Sequence, residues 1–461
     1  MVTLRFRALA VLGVLALTAA ACGDDDDGSA ATTTAAPAET TAAAAETTAP
    51  AADTTAAGTT AAPDTTETPA AEPAEVPGFT GTEIGVGVIS PLTGAAALIG
   101  KPLVAGQQAY WEGLNAEEGG VAGKYKVKML VEDNLYETNT TVQKYNKIKN
   151  DVVVVSQVVG TANNLAILPL LRDDNIVASP ASQDAFWVRE QQLFPVIEPY
   201  QIDVINAIDY LWNEGGASGK AICAVVQDDA YGEAGLQGLE FIAEKLGFEV
   251  AVTSRYKTTD TDFTAPVTAL KNGNCQVVLA TALPTQFGGI LGTAAQLGFA
   301  PQWVAQSPAY IDELTAGPLK DYMEANVWVV AVGPELSYQG NPAAQLMSER
   351  QKQYTDLTDP DYYFTFGYVQ ALAIHQLLEA AVANGDLSRE GIITAMNEDL
   401  GEIDAQGLGG NYIYGMPEDR DPPRLSSLFK VDTTKPFALA MVKENFTTEF
   451  AGEFEFVKSD I

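Results

Sequence analysis

EIGVGVISPLTGAAALIGKPLVAGQQAYWEGLNAEEGGVAG, residues 83–123, decides the fold. It opens on a short apolar run, 84–89, followed by the turn cluster Ser90-Pro91-Leu92-Thr93-Gly94. Val104, Gln107, Gln108, Trp111 and Leu114 then recur at helical spacing until Gly119 and Gly120 stop the pattern. Strand, glycine-bearing loop and helix form the opening unit of a parallel α/β sheet. Ligands of such sheets bind beyond the carboxyl ends of the strands, which makes 90–100 a candidate ligand loop. Within it Ala95, Ala96, Ala97, Leu98 and Ile99 predict an apolar lining, and so a partly apolar ligand.

Outward from this stretch the unit repeats. Apolar or β-branched runs near 126–133, 152–155 and 176–178 read as strands, with helical patterns at 138–149 and 165–172 between them. Phe194-Pro195-Val196-Ile197-Glu198-Pro199 breaks the rhythm and reads as a connection between lobes. The rhythm then restarts, with strands at 221–226, 249–255, 276–280, 303–305 and 326–332. Helices at 363–384 and 389–396 and closing strands at 425–431 and 437–442 follow. The pattern gives two successive α/β units and a tail that revisits both.

Before residue 78 the chain reads as delivery and tether. A basic start with Arg5 and Arg7, an apolar core at 8–17 and small residues up to Ala21 make residues 1–21 a secretory signal peptide. Small residues ending in Cys22-Gly23 resemble a bacterial lipobox, which implies lipidation of Cys22; Ala19 stands where that motif usually has a bulkier residue. Residues 22–77 are rich in Ala, Thr, Pro and acids and lack aromatics, so they cannot offset their chain entropy and are expected to form a disordered tether. The whole chain has 60 acids against 26 bases, a net charge of −34. Such an excess disfavours nucleic acid and anionic membrane surfaces as partners. No stretch beyond residue 22 has the run of apolar residues that a membrane span needs.

The punctuation along the body carries a family resemblance. It comprises Ile89-Ser90-Pro91-Leu92-Thr93-Gly94 with Gly100, Gly106 and Ala109, and then Gly119-Gly120-Val121-Ala122-Gly123. Glu132-Asp133, Ile176-Val177-Ala178-Ser179-Pro180-Ala181, Asp228-Asp229-Ala230-Tyr231-Gly232 and Thr365-Phe366-Gly367-Tyr368 follow in order. Together, over about 78–450, they resemble the type 1 periplasmic-binding-protein superfamily, in the branched-chain amino acid branch of ABC-importer substrate-binding proteins. The resemblance implies an α/β fold of two doubly wound parallel-sheet lobes joined by three hinge crossings, near 196–200, 332–335 and 414–424. It assigns 78–197 plus 333–415 to the first lobe and 198–332 plus 416–461 to the second, with a ligand between them. The function implied is capture of a small amino-acid-like or carboxylate or amide ligand and its delivery to an ABC permease in the membrane. A receptor of the same fold that signals to a membrane partner is the alternative.

The same resemblance nominates ligand residues. On the first lobe they are Gly160, Thr161 and Ala162 after one strand, Ala181, Ser182 and Gln183 after the next, and Ile99. Small hydroxyls and backbone N–H groups at helix N-termini suit an anion without a positive side chain. Tyr231 would face them from the second lobe, and Tyr363 would line the side-chain pocket. Two positions depart from the amino-acid binders: Ser307 stands where they place an acid for the ammonium, and Leu283 where they place an aromatic. A less charged or more apolar carboxylate, an amide and an aromatic compound all stay open as ligands.

Cys223 and Cys275 lie at or just before strands of the second unit; an exported chain permits a disulfide there, the alternative being two buried thiols. His375 is the only histidine, and no nucleophile, metal-protease or phosphate-loop motif accompanies it. The chain is therefore expected to act without catalysis, metal or cofactor.

Overall fold

The computed structural model describes residues 72–331 and 340–458. The signal peptide, Cys22, the tether up to residue 71 and the crossing expected at 332–335 lie outside the described residues. Val76 pairs with Phe79 in a short bridge, so regular backbone pairing begins before residue 78.

The first sheet has four parallel strands, β1 (Glu83–Ser90), β2 (Lys126–Asp133), β3 (Val154–Val159) and β4 (Ala178–Ala181), in the order β2-β1-β3-β4. Helices cover both faces, which is why β1 is apolar at nearly every position rather than alternating. Ile84 and Val86 enter one core, and Ile89 enters the other with Val155 and Val158 of β3.

The second sheet has seven strands. Five are parallel: β5 (Ile222–Gln227), β6 (Thr253–Tyr256), β7 (Val277–Thr281), β8 (Gln302–Gln306) and β9 (Val327–Ala331). After a small hairpin of β10 (Glu402–Ile403) and β11 (Tyr412–Ile413), the chain adds β12 (Ser426–Val431) and β13 (Leu439–Phe446). These two join antiparallel at the β9 edge, giving the order β13-β12-β9-β8-β7-β5-β6. Along β5, Ile222, Ala224 and Val226 face one core while Cys223 and Val225 face the other. Cys223 is bonded to Cys275, with Cα atoms 5.8 Å apart.

The helix Ala97–Gly113 begins earlier than the glycine-bearing loop suggested, so Leu98, Ile99 and Gly100 are helical. It crosses the long helix Tyr362–Ala383 at contact distance. A Cβ on Gly106 would lie 2.1 Å from the Phe364 carbonyl oxygen, and one on Gly367 would lie 2.0 Å from that of Leu103. This close approach fixes the start of the long helix beside the end of β3. A helix at Pro342–Tyr354, which the apolar pattern did not reveal, packs against the first helix. Its Arg350 guanidinium, 3% exposed, is held by Glu117, Glu118 and the Tyr368 hydroxyl.

Two passages between the sheets are tied together by hydrogen bonds. The Tyr414 hydroxyl donates to the Pro195 carbonyl (2.6 Å). Arg420 Nη1 donates to the carbonyls of Glu190 (2.8 Å) and Leu193 (3.1 Å), and Arg189 Nη1 to that of Pro417 (2.8 Å). Burial pushes the Arg420 pKa down, and the Tyr414 ring 5.2 Å away offers its face to the cation.

Candidate functional site

Residues just past the carboxyl ends of strands in both sheets meet in one narrow slot. The first sheet supplies Tyr136 after β2, Gly160 and Thr161 after β3, and Ala181 and Gln183 at β4. The second supplies Tyr231 after β5, Leu283 after β7, and Ser307 and Pro308 after β8. Ile99, Tyr200, Tyr362, Tyr363 and Phe366, all near helix N-termini, complete the walls. The slot encloses about 30 Å³, where a single water takes about 10–15 Å³. Anything larger than a few atoms enters only if the walls separate.

Tyrosine rings dominate the surface, and most of their hydroxyls are bound to protein. Tyr363 donates to the Pro308 carbonyl (2.7 Å) and Tyr231 to that of Ala282 (3.3 Å), while the Tyr136 hydroxyl is buried near the Gln227 side chain. The Tyr362 hydroxyl accepts from Gln183 Nε2 (3.1 Å). Burial raises the pKa of each of these phenols, so all stay neutral. Tyr200 and Tyr231 lean together at 5.1 Å between ring centroids, and Tyr362 meets Tyr363 edge-on at 5.3 Å.

Two lining side-chain oxygens differ from the rest. Thr161 Oγ1 and Gln183 Oε1 are buried and have no hydrogen-bond partner in the protein. Thr161 is the first residue of the helix Thr161–Asp174, whose leading N–H groups carry the positive end of the helix dipole. Gly160 precedes it at φ +102°, and a Cβ there would lie 2.8 Å from Tyr136 Cε2. Tyr136 itself is left-handed, at φ 61°, after Leu135 at φ 57°. Both are held by side chains: Asp133 Oδ1 accepts from the Leu135 N–H (3.0 Å) and Asn134 Oδ1 from the Tyr136 N–H (3.1 Å). Strain of this kind concentrates where a side chain must be aimed.

Among the described residues no Asp, Glu, Lys, Arg or His lines the slot. The nearest carboxyls in sequence serve the backbone. Asp184 accepts from the Phe186 N–H, Asp229 from the Tyr231 and Gly232 N–H groups, and Asp361 from the Phe364 N–H. Burial pushes Asp184 up to about 6 and Asp361 up to about 7. Behind Tyr362, Glu198 and Asp203 are buried together; burial raises both, Asp203 to about 7.

The structure thus brings Ile99, Gly160, Thr161, Ala181, Gln183, Tyr231, Leu283, Ser307 and Tyr363 to one place. Ala162 and Ser182 do not line it. Ala162 lies in the helix's first turn, while Ser182 Oγ accepts from Trp187 Nε1 (3.2 Å) and from Asn164 Nδ2 (3.4 Å). The expected alanine lining also fails: Ala95, Ala96 and Ala97 are not in the wall, and Leu98 is 48% exposed. Tyr136, Tyr200, Tyr362 and Phe366 were not foreseen. Tyr362 had a sequence signal as the neighbour of Tyr363, Phe366 by its place in the Thr365-Phe366-Gly367-Tyr368 motif, and Tyr200 by its place at the end of a crossing. His375 is elsewhere, with Nδ1 on the Tyr110 hydroxyl (2.7 Å) and Nε2 on Glu379 (2.9 Å). Among the described residues no three His, Cys, Asp or Glu side chains are grouped to hold a metal ion.

Comparison with known proteins agrees with this architecture. The family model described as periplasmic binding protein matches residues 83–436. An amino acid binding protein of Pseudomonas aeruginosa is 21% identical over 319 residues, covering 66% of this chain and 80% of that protein. A fatty acid ABC transporter substrate-binding protein from Thermomonospora curvata superposes with TM-score 0.76 at 27% identity, over 84% of this chain and 97% of its own. A valine-bound branched-chain amino acid ABC transporter protein from Thermus thermophilus superposes with TM-score 0.70 at 18% identity, over 81% and 98%. With two parallel-sheet lobes facing one slot and a family match across most of its length, the chain belongs to the periplasmic binding proteins, in the type 1 fold shared by branched-chain amino acid substrate-binding proteins of ABC transporters.

Proposed function

We propose that this protein is the extracytoplasmic solute-binding component of an ABC importer, capturing a small ligand between its lobes and delivering it to a membrane permease. The observation that carries this is the slot itself. It lies at the carboxyl ends of both sheets and ends on the unpartnered Thr161 hydroxyl at a helix N-terminus. In this reading Gly160, Thr161 and Ala162 receive an acidic group through the hydroxyl and backbone N–H groups. Ala181, Gln183, Tyr231, Leu283, Ser307, Tyr363 and Ile99 shape the rest, and Ser182 acts behind them by holding Trp187 and Asn164. The lobes, 78–197 plus 333–415 and 198–332 plus 416–461, swing about their crossings to admit and enclose the ligand. The protein is made with a signal peptide over 1–21, lipidated at Cys22 and held off the outer face of the membrane by its tether.

Among the described residues no helix is long and apolar enough to cross a membrane, so attachment in this reading depends on Cys22. A thermal-shift screen of the protein against small amino acids, carboxylates and amides tests capture. A ligand at a hundred times its dissociation constant stabilises by about 2.7 kcal/mol; a screen with no shift removes the reading. Replacing Cys22 by Ala tests anchoring and should release the protein from membranes.

A further inference from the structure

The slot narrows the class of ligand, on the reading that it is the capture site of a solute-binding protein. We propose that its ligand is a carboxylate carrying no ammonium group, with an apolar body that lies against the tyrosine rings.

Three observations converge on this. First, one end of the slot is a donor end. Thr161 Oγ1 is 1% exposed and has no partner, and it heads a helix of 14 residues whose first N–H groups point the same way as the dipole. That combination stabilises an anion. Second, among the described residues the wall holds no carboxylate to pair with a cation. The described carboxyls nearest in sequence, Asp184, Asp229 and Asp361, are bonded to backbone N–H groups outside it. Ser307 is uncharged, and Leu283 is apolar. Third, most of the remaining wall is ring and aliphatic surface. The Tyr231 and Tyr363 hydroxyls donate to backbone carbonyls and that of Tyr362 accepts from Gln183, so those rings present mainly their apolar parts. An ammonium entering here loses its hydration and gains no charged partner, a cost that a deaminated analogue escapes. Among the described lining residues the orphan side-chain acceptors are Gln183 Oε1 and the Thr161 hydroxyl oxygen, both neutral. A neutral acceptor does not replace a carboxylate facing an ammonium.

Calorimetric titration of the intact protein with matched pairs tests this. The pairs are leucine and 4-methylpentanoate, phenylalanine and 3-phenylpropanoate, and 2-aminooctanoate and octanoate. Within each pair only the amino group differs. In the tightest-binding pair the deaminated acid should bind at least about 100-fold more tightly, and 3-phenylpropanamide should bind at least about 10-fold more weakly than its acid. An amino acid that matches or exceeds its partner overturns the class while leaving solute capture intact. Equal binding of amide and acid overturns the anionic end. Binding by none of the compounds overturns both this class and the capture reading. Ser307→Asp, which restores a charge to the wall, should narrow the gap between leucine and 4-methylpentanoate about 10-fold; an unchanged gap in a folded variant counts against the argument.

Discussion

Gly160 and Thr161 are adjacent, yet substitutions at them should fail in different ways. Gly160 holds φ +102°, and a Cβ would press on Tyr136 Cε2 and Asn163 Nδ2, each 2.8 Å away. Gly160→Ala should therefore lower unfolding free energy by about 1–3 kcal/mol, read by urea denaturation, and weaken ligand binding as well. Thr161 Oγ1 bonds to nothing in the protein. Thr161→Val should leave stability within about 1 kcal/mol of the parent while reducing affinity for an acidic ligand about 10- to 100-fold, read by titration. At this scale the sequence was partly legible. Tyr231 was marked by the Asp-x-x-Tyr-Gly pattern, and Thr161 by its place between a strand and a helix. Tyr136 was not, because two successive left-handed residues aim it, and no local periodicity encodes that. The direction of Tyr200 was hidden because it closes a crossing and opens a helix, and so depends on packing across the whole molecule.

Strands were the most legible elements, since parallel strands covered on both faces give continuous apolar runs. The helix Pro342–Tyr354 escaped because only Ala344, Met347, Arg350 and Gln351 are buried, and the arginine and glutamine interrupt the apolar stripe. The pair β5 and β7 with the turn before it carries the Cys223–Cys275 bond, which spans 52 residues. A loop of that length, cut by the double substitution Cys223→Ala and Cys275→Ala, should lose about 2–4 kcal/mol of stability. Chemical denaturation of the two forms checks it, and no change would mean that the unbridged chain is already constrained there. The motion proposed for the lobes is expected to leave this element intact, because the bond lies wholly within the second sheet and its flanking turn.

For the molecule as a whole, the buried carboxyls set the response to pH. Asp184, Asp203, Asp361 and Glu198 have folded-state pKa values raised chiefly by burial, to about 6 for Asp184 and about 7 for Asp203 and Asp361. Between the unfolded carboxylate range, about 4, and these values the folded state binds more protons. Stability from these groups is thus full below about pH 4 and is lost as pH rises toward 7. Acids held in ion pairs oppose this at lower pH. Glu132, despite burial that pushes it up, is held below the usual range by Lys147 and Lys144, and its contribution is lost on acidification. The melting temperature should therefore peak on the acid side of neutrality and fall from about pH 5 to 7.5. Asp203→Asn, which keeps an acceptor for the Ser426 hydroxyl, should flatten that fall; an equally steep fall in the variant would place its origin elsewhere.

The antiparallel pair β12 and β13 has a consequence for the time course of assembly. The second sheet is seeded by residues 222–331 but gets its last two strands only from 426–446. The first is seeded by 83–181, yet the helix that covers it and shapes the slot comes from 362–383. Each lobe thus waits for sequence made after part of the other. A chain emerging N-terminus first leaves the first lobe incomplete until residue 383 is available and the second until residue 446. Late commitment of this kind keeps the polypeptide threadable for nearly its whole length.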